Sequence, residues 1–74
     1  MIRIYERLLD QSYESACRQH TPIAKTDDMN WAMGIIESLA DRGYQCFAVD
    51  DYGTVTDLGG TLFGHLANIH DSSH

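Results

Sequence analysis

Cys17 and His20 lie about one helical turn apart, and His70 and His74 share that kind of spacing, so the chain carries donors that zinc accepts. A structural zinc site needs four such donors converging on one point. Here no CxxC pair exists, and His20, His65, His70 and His74 are spread over both ends of the sequence. The plainer reading is a set of surface imidazoles that soften the negative field when protonated near about pH 6. A cysteine beside a histidine also suggests a thiol nucleophile. That chemistry requires a base aimed at the sulfur and donors for an oxyanion, and neither is readable around Cys17. A small Cys/His metal-binding protein is therefore the weakest functional reading, and no cofactor is expected.

The carboxylates give a second set of candidates. Asp50-Asp51-Tyr52-Gly53 with Asp57 resembles a calcium loop only faintly, because the Asp-x-Asp-x-Asp-Gly spacing and a closing glutamate are missing. A hairpin turn accounts for all four residues. Gly59-Gly60 is no phosphate loop, since no lysine follows it. Nothing in the chain specifies a reaction, and the sequence reads as that of a non-enzyme.

What the carboxylates do establish is an asymmetry. Arg3, Arg7 and Arg18 balance Glu6, Asp10 and Glu14 in the first 24 residues. Lys25 and Arg42 then face Asp27, Asp28, Glu37, Asp41, Asp50, Asp51, Asp57 and Asp71, which accounts for the whole net charge of −6. A field of that sign repels nucleic acid and attracts a basic protein surface. Direct contact with DNA or RNA is not expected, because such contact needs a basic patch.

Seventy-four residues make one domain, 1–74, with 71–74 expected as a frayed tail. Arginines and a glutamate occupy Met1–Leu9 where a signal peptide needs apolar residues, and no run approaches the ~20 apolar residues of a membrane span. A cytoplasmic location is expected, with Cys17 and Cys46 reduced and Cys46 a buried, inert thiol.

Periodicity predicts the elements that would position these groups. On a wheel of about 100° per residue, residues 2–19 read as one amphipathic helix. Ile2, Tyr5, Leu8, Leu9, Ser12, Tyr13 and Ala16 fall on one arc; Arg3–Glu6, Arg7–Asp10 and Glu14–Arg18 pair on the other. The alternation of Ile2 and Ile4 with Arg3 leaves a strand at Met1–Tyr5 as the alternative. Pro22 marks residues 20–27 as a connection, and Thr26 or Asp27 is expected to cap a second helix running to about Arg42, with Gly43 as its stop. Its apolar stripe is Met29, Ala32, Met33, Ile35, Ile36, Leu39 and Ala40. The period then changes to two: Tyr44–Val49 and Thr54–Leu58 read as a hairpin around Asp50–Gly53. Gly59-Gly60 reads as a hinge, and Thr61 as the cap of a last helix, Leu62–His70. The expected fold is a small α+β domain in the order α-α-β-β-α, with one antiparallel β-hairpin packed on helices.

Trp31 falls on the wheel with Gly34, Ser38 and Arg42, away from that stripe. It is either packed beneath the N-terminal segment or exposed as a binding anchor, a role in which tryptophan dominates. The function expected from this profile is a non-catalytic acidic interaction module that occupies a basic nucleic-acid-binding surface of a host complex. Phage or mobile-element inhibitors of the anti-CRISPR kind have such a profile: tiny, acidic and without motifs. The residues expected to meet the partner are Trp31, Glu37, Asp41, Asp50, Asp51, Tyr52 and Asp57. The alternative is a structural or regulatory homodimer, burying Trp31, Gly34 and Ser38 across a two-fold axis.

Overall fold

The computed structural model describes residues 1–62. It is a mixed α+β fold: β1 (Ile2–Glu6), α1 (Tyr13–Gln19), β2 (Ala24–Thr26), α2 (Met29–Ala40), β3 (Cys46–Val49), β4 (Val55–Asp57) and β5 (Gly60–Leu62). The strands form one antiparallel sheet in the order β2-β1-β3-β4-β5. β1 sits in the interior of the sheet, with Ile4 opposite Ala24 on one side and Ala48 on the other. A strand with neighbours along both edges and cover on both faces alternates its contacts, and β1 does so. Ile2 and Ile4 join the cluster under α2, while Tyr5 joins the cluster under α1.

The sheet is therefore covered on both faces. On one side Ala32 and Ile36 of α2 pack on Ile2, Ile4, Cys46 and Ala48, with Met29, Met33, Ile35 and Leu39 at the margin. On the other, Ala16 of α1 packs on Tyr5, Phe47, Val49 and Val55. Phe47 stacks on Tyr5 (centroids 5.7 Å apart) and meets Tyr13 edge-on at 4.9 Å. Burying each of these isoleucine or phenylalanine side chains is worth about 1.5–3 kcal/mol, so the thin core draws on both faces.

The predicted helix over 2–19 is replaced by a strand, a loop and a short helix. Asp10 breaks it, with φ +67°, a left-handed backbone that aspartate tolerates better than most residues. Ser12 then caps α1, its hydroxyl accepting from the Ser15 N–H at 3.1 Å. The β-branched alternation at Ile2 and Ile4 prevails because both residues are buried in a sheet, whereas the helical arc leaves Leu8 and Leu9 exposed even here. None of the expected pairs Arg3–Glu6, Arg7–Asp10 and Glu14–Arg18 forms; the ion pairs among the described residues join the Met1 ammonium to Asp27 and Asp51. Arg7 instead donates to the Gln11 carbonyl at 2.9 Å and lies over the Tyr13 ring.

The connection at 20–27 contains β2, and the cap of α2 is Asp28 rather than Thr26 or Asp27. Asp28 accepts from the Asn30 N–H at 2.9 Å, while Thr26 accepts from the Asp28 N–H. Past α2, Gly43 takes φ +91°, the left-handed stop expected of a glycine there. The expected order α-α-β-β-α becomes β-α-β-α-β-β-β, and the single hairpin becomes part of a five-stranded sheet. The turn between β4 and β5 is Leu58-Gly59, and Gly60 already opens β5 opposite Asp57, so the glycine pair is not a hinge and Thr61 and Leu62 lie in a strand instead of opening a helix. The remainder of that expected helix, and the tail, lie outside the described residues. Cys17 and Cys46 are free thiols in separate places, Cys46 under α2 and Cys17 beside α1's cluster on the opposite face.

Candidate functional site

Three aspartates share one local device. Asp28, Asp50 and Asp57 each accept from the backbone N–H two residues ahead, at 2.9, 2.9 and 2.8 Å. This is the Asx turn, which lets a short carboxylate replace a backbone acceptor. Asp50 also accepts from the Thr54 N–H at 2.9 Å, so one oxygen closes the β3–β4 turn from both sides. Gly53 completes that turn with φ +83°. A hydrogen bond to a neutral N–H occupies lone pairs but leaves the charge in place. The negative field of these residues survives, while their freedom to reach a partner is reduced.

The register places the ends of the molecule. Ile2 lies opposite Thr26 and Arg3 opposite Val49, so the chain start, the β2–α2 connection and the β3–β4 turn meet at one end of the sheet. There the Met1 ammonium touches Asp51 at 2.7 Å and Asp27 at 3.4 Å. Its pKa is raised, chiefly by the hydrogen bond to Asp51. Asp27, Asp28, Asp50 and Asp51 thus gather at the end that holds this cation, and Tyr52 stands at the tip of the turn, 84% exposed. Asp27 and Asp28 belong to the acidic series that the sequence offers to a basic partner, and the fold brings them beside Asp50 and Asp51.

Asp57 lies at the opposite end. Its carboxylate accepts from the Tyr13 hydroxyl at 2.6 Å and from the Gly59 N–H. Tyr13 is held above the usual phenol range, first by that hydrogen bond and then by burial. The pair ties α1 to β4 and borders a recess of about 220 Å³ shared with Arg7, Tyr44 and Cys46. Glu37 and Asp41 are exposed on the later turns of α2, also away from the Asp50–Tyr52 turn. The expected acidic set is therefore divided: Asp50, Asp51 and Tyr52 stand together at one end, and Asp57, Glu37 and Asp41 lie away from them.

Trp31 is not packed beneath the N-terminal segment. It is 51% exposed on the outer side of α2, where it lines a shallow groove of about 610 Å³ with Gly34, Ile35, Ser38, Leu39 and Arg42. A Cβ placed on Gly34 would meet nothing within 4 Å. Sequence reasoning puts Leu39 in the core stripe only. In the structure it also borders a second apolar hollow with Ile23 and Tyr44, two half-exposed side chains.

Burial pushes the Cys17 thiol up to about 11 and raises that of Cys46 as well, the reverse of the activation a nucleophile needs. His20 faces Gln11 at 3.2 Å. Among the described residues, no three His, Cys, Asp or Glu side chains converge as a metal-binding group. Nor is any described helix long and apolar enough to cross a membrane. No family model matches the chain, and no curated protein or solved structure matches it either.

Proposed function

We propose that this chain is a non-catalytic interaction protein that presents an acidic end to a basic partner. The observation that carries the reading is Tyr52, exposed at the tip of a turn and flanked by Asp50 and Asp51, with Asp27 joined to the same end through the Met1 ammonium. Aromatic side chains supply apolar contact area at little conformational cost, and surrounding carboxylates steer a cationic surface toward them. The partner of this chemistry is a groove of lysines and arginines that otherwise holds nucleic acid. Occupying it would block a guide-RNA or DNA complex sterically and electrostatically, in the manner of an anti-CRISPR-type inhibitor.

The Asx turns decide which variants test this. Charge reversal at Asp50 or Asp57 removes backbone acceptors and perturbs the fold. Asp50→Asn with Tyr52→Ala removes charge and anchor while keeping an acceptor in the turn. The experiment retains host proteins on the immobilised chain at low salt, identifies them by mass, and repeats the capture on the double variant. Expected are basic nucleic-acid-binding proteins that elute steeply with salt, are competed off by their own nucleic acid, and are lost from the variant column. Partners held equally by both columns, or indifferent to salt and to nucleic acid, would overturn the reading.

A further inference from the structure

The outer face of α2 plays no part in the acidic reading. We infer that this face pairs with α2 of a second copy, the two helices antiparallel about a two-fold axis near Ile35. Three features select that occupant.

The first is access. Gly34 and Ser38 lie one turn apart with no described residue over them, and the Gly34 Cβ position is open among the described residues, so another helix backbone can approach closely. Ridge-into-groove packing of helices depends on that closeness. The second is apolar content. Trp31, Ile35 and Leu39 are spaced four residues apart along the same groove, with Trp31 half exposed.

The third is charge. The N-terminal end of the helix carries the cap Asp28, and the C-terminal end of the face carries Arg42. Arg42 forms no ion pair among the described residues. An antiparallel second copy brings each Arg42 to the other's Trp31 and Asp28. There the guanidinium can lie over the indole face and answer the carboxylate, and the two helix dipoles oppose. A parallel copy would instead place Arg42 against Arg42. At about 100° per residue, Glu37 and Asp41 fall to the flank of this face, so like charges do not meet at its centre. A two-fold arrangement makes each contact twice from one set of residues, which is how closed dimers form.

Sedimentation of the full chain from low to high micromolar concentration tests the inference. The mass is expected to rise from 8.3 kDa to twice that value. Gly34→Arg fills open space and removes a glycine from a helix, so circular dichroism should show the fold kept. It should nonetheless weaken dimerisation by about tenfold or more, as disruption at the centre of an interface does.

Orientation is tested by complementation. Arg42→Glu sets a carboxylate against Trp31 of its twin, and Trp31→Lys sets an ammonium against Arg42, so each variant alone should remain monomeric. Mixed in equal amounts they should restore the dimer. One contact then pairs the carboxylate introduced by Arg42→Glu with the ammonium introduced by Trp31→Lys, and the other remains Arg42 with Trp31. A wild-type chain that stays monomeric, or a Gly34→Arg variant that still dimerises, overturns the interface. A mixture that fails to associate overturns the antiparallel arrangement. None of these outcomes depends on a basic partner, so failure here and failure of the acidic reading are separate results.

Discussion

Replacing Asp50 by alanine and by asparagine should give two different proteins, and the difference is calculable. In the native turn one Asp50 oxygen accepts from the Tyr52 and Thr54 N–H groups, each at 2.9 Å. Alanine removes both acceptors, and a typical intramolecular hydrogen bond contributes about 0.5–1.5 kcal/mol net. Since the Tyr52 bond is exposed and the Thr54 bond only half-buried, the lower half of that range applies, and Asp50→Ala should cost about 1–2 kcal/mol. A chain of this length is held together by only about 4–11 kcal/mol. With about 4–8 °C of melting temperature per kcal/mol for a domain of this size, the variant should melt about 5–15 °C lower. Asparagine keeps a carbonyl acceptor in the same position and suits this turn equally well. It also relieves repulsion from the adjacent Asp51, so its melting temperature should stay within about 3 °C of wild type. Thermal unfolding followed by circular dichroism at moderate salt measures both. Equal destabilisation by alanine and asparagine would refute the reasoning, since Asp50 would then act through its charge. So would an alanine variant that melts with wild type, since the turn would then close without that oxygen.

Tyr13→Phe removes the 2.6 Å bond to Asp57 and should cost about 1–2 kcal/mol in urea unfolding at neutral pH. Because the Tyr13 phenol is raised above 10.0 in the fold, its contribution is complete below the unfolded value and falls as pH climbs past it. The gap between wild type and Tyr13→Phe should therefore narrow above that pH, and a gap that widens would contradict the assignment. Cys17, held at about 11 against an ordinary 9.0, should react with iodoacetamide about a hundredfold more slowly in the folded chain than in urea at about pH 8. Peptide mass spectrometry distinguishes it from Cys46, and labelling at the unfolded rate would show the thiol to be accessible. Phe47→Ala, at a site only 1% exposed between Tyr5 and Tyr13, should cost about 3–5 kcal/mol and leave the chain largely unfolded at physiological temperature. Phe47→Leu should cost roughly a third of that and stay folded, and equal effects would place Phe47 outside the core.

How far these features are legible follows from the range of the forces that make them. The β3–β4 hairpin and α2 are readable to within about two residues, because their signals are local: alternation around an aspartate–glycine turn, and a 3.6-residue stripe closed by Gly43. The first 26 residues mislead because what defines them is distant. Ile2 and Tyr5 satisfy a helical arc and a strand alternation equally, and only pairing with β3 decides between them. β2 is three residues long and exists through its register with β1. The break at Asp10 carries no glycine to announce it. The turn between β4 and β5 falls at Leu58-Gly59, one residue before the glycine pair that reads as a hinge, because Gly60 is already paired with Asp57. At the candidate surface, the wheel position of Trp31 correctly separates it from the stripe under α2. The Asx turns of Asp28, Asp50 and Asp57 are hidden at the level of sequence, since aspartate in a turn looks the same whether it binds its own backbone or faces solvent.

The placement of β1 between β2 and β3 has a consequence for how the chain acquires its shape. The strand that everything else is built around is made before its longer neighbour, Cys46–Val49, which follows some forty residues later. Until then Ile2 and Ile4 have only the three-residue β2 beside them. Closing so long a loop is slow relative to local hairpin formation, so β3, β4 and α2 are free to organise first and receive the amino-terminal strand last. Until β3 is in place, then, Ile2 and Ile4 lack a neighbour along one edge of their strand, and the yield in a cell should depend on how quickly Val49 clears the ribosomal tunnel.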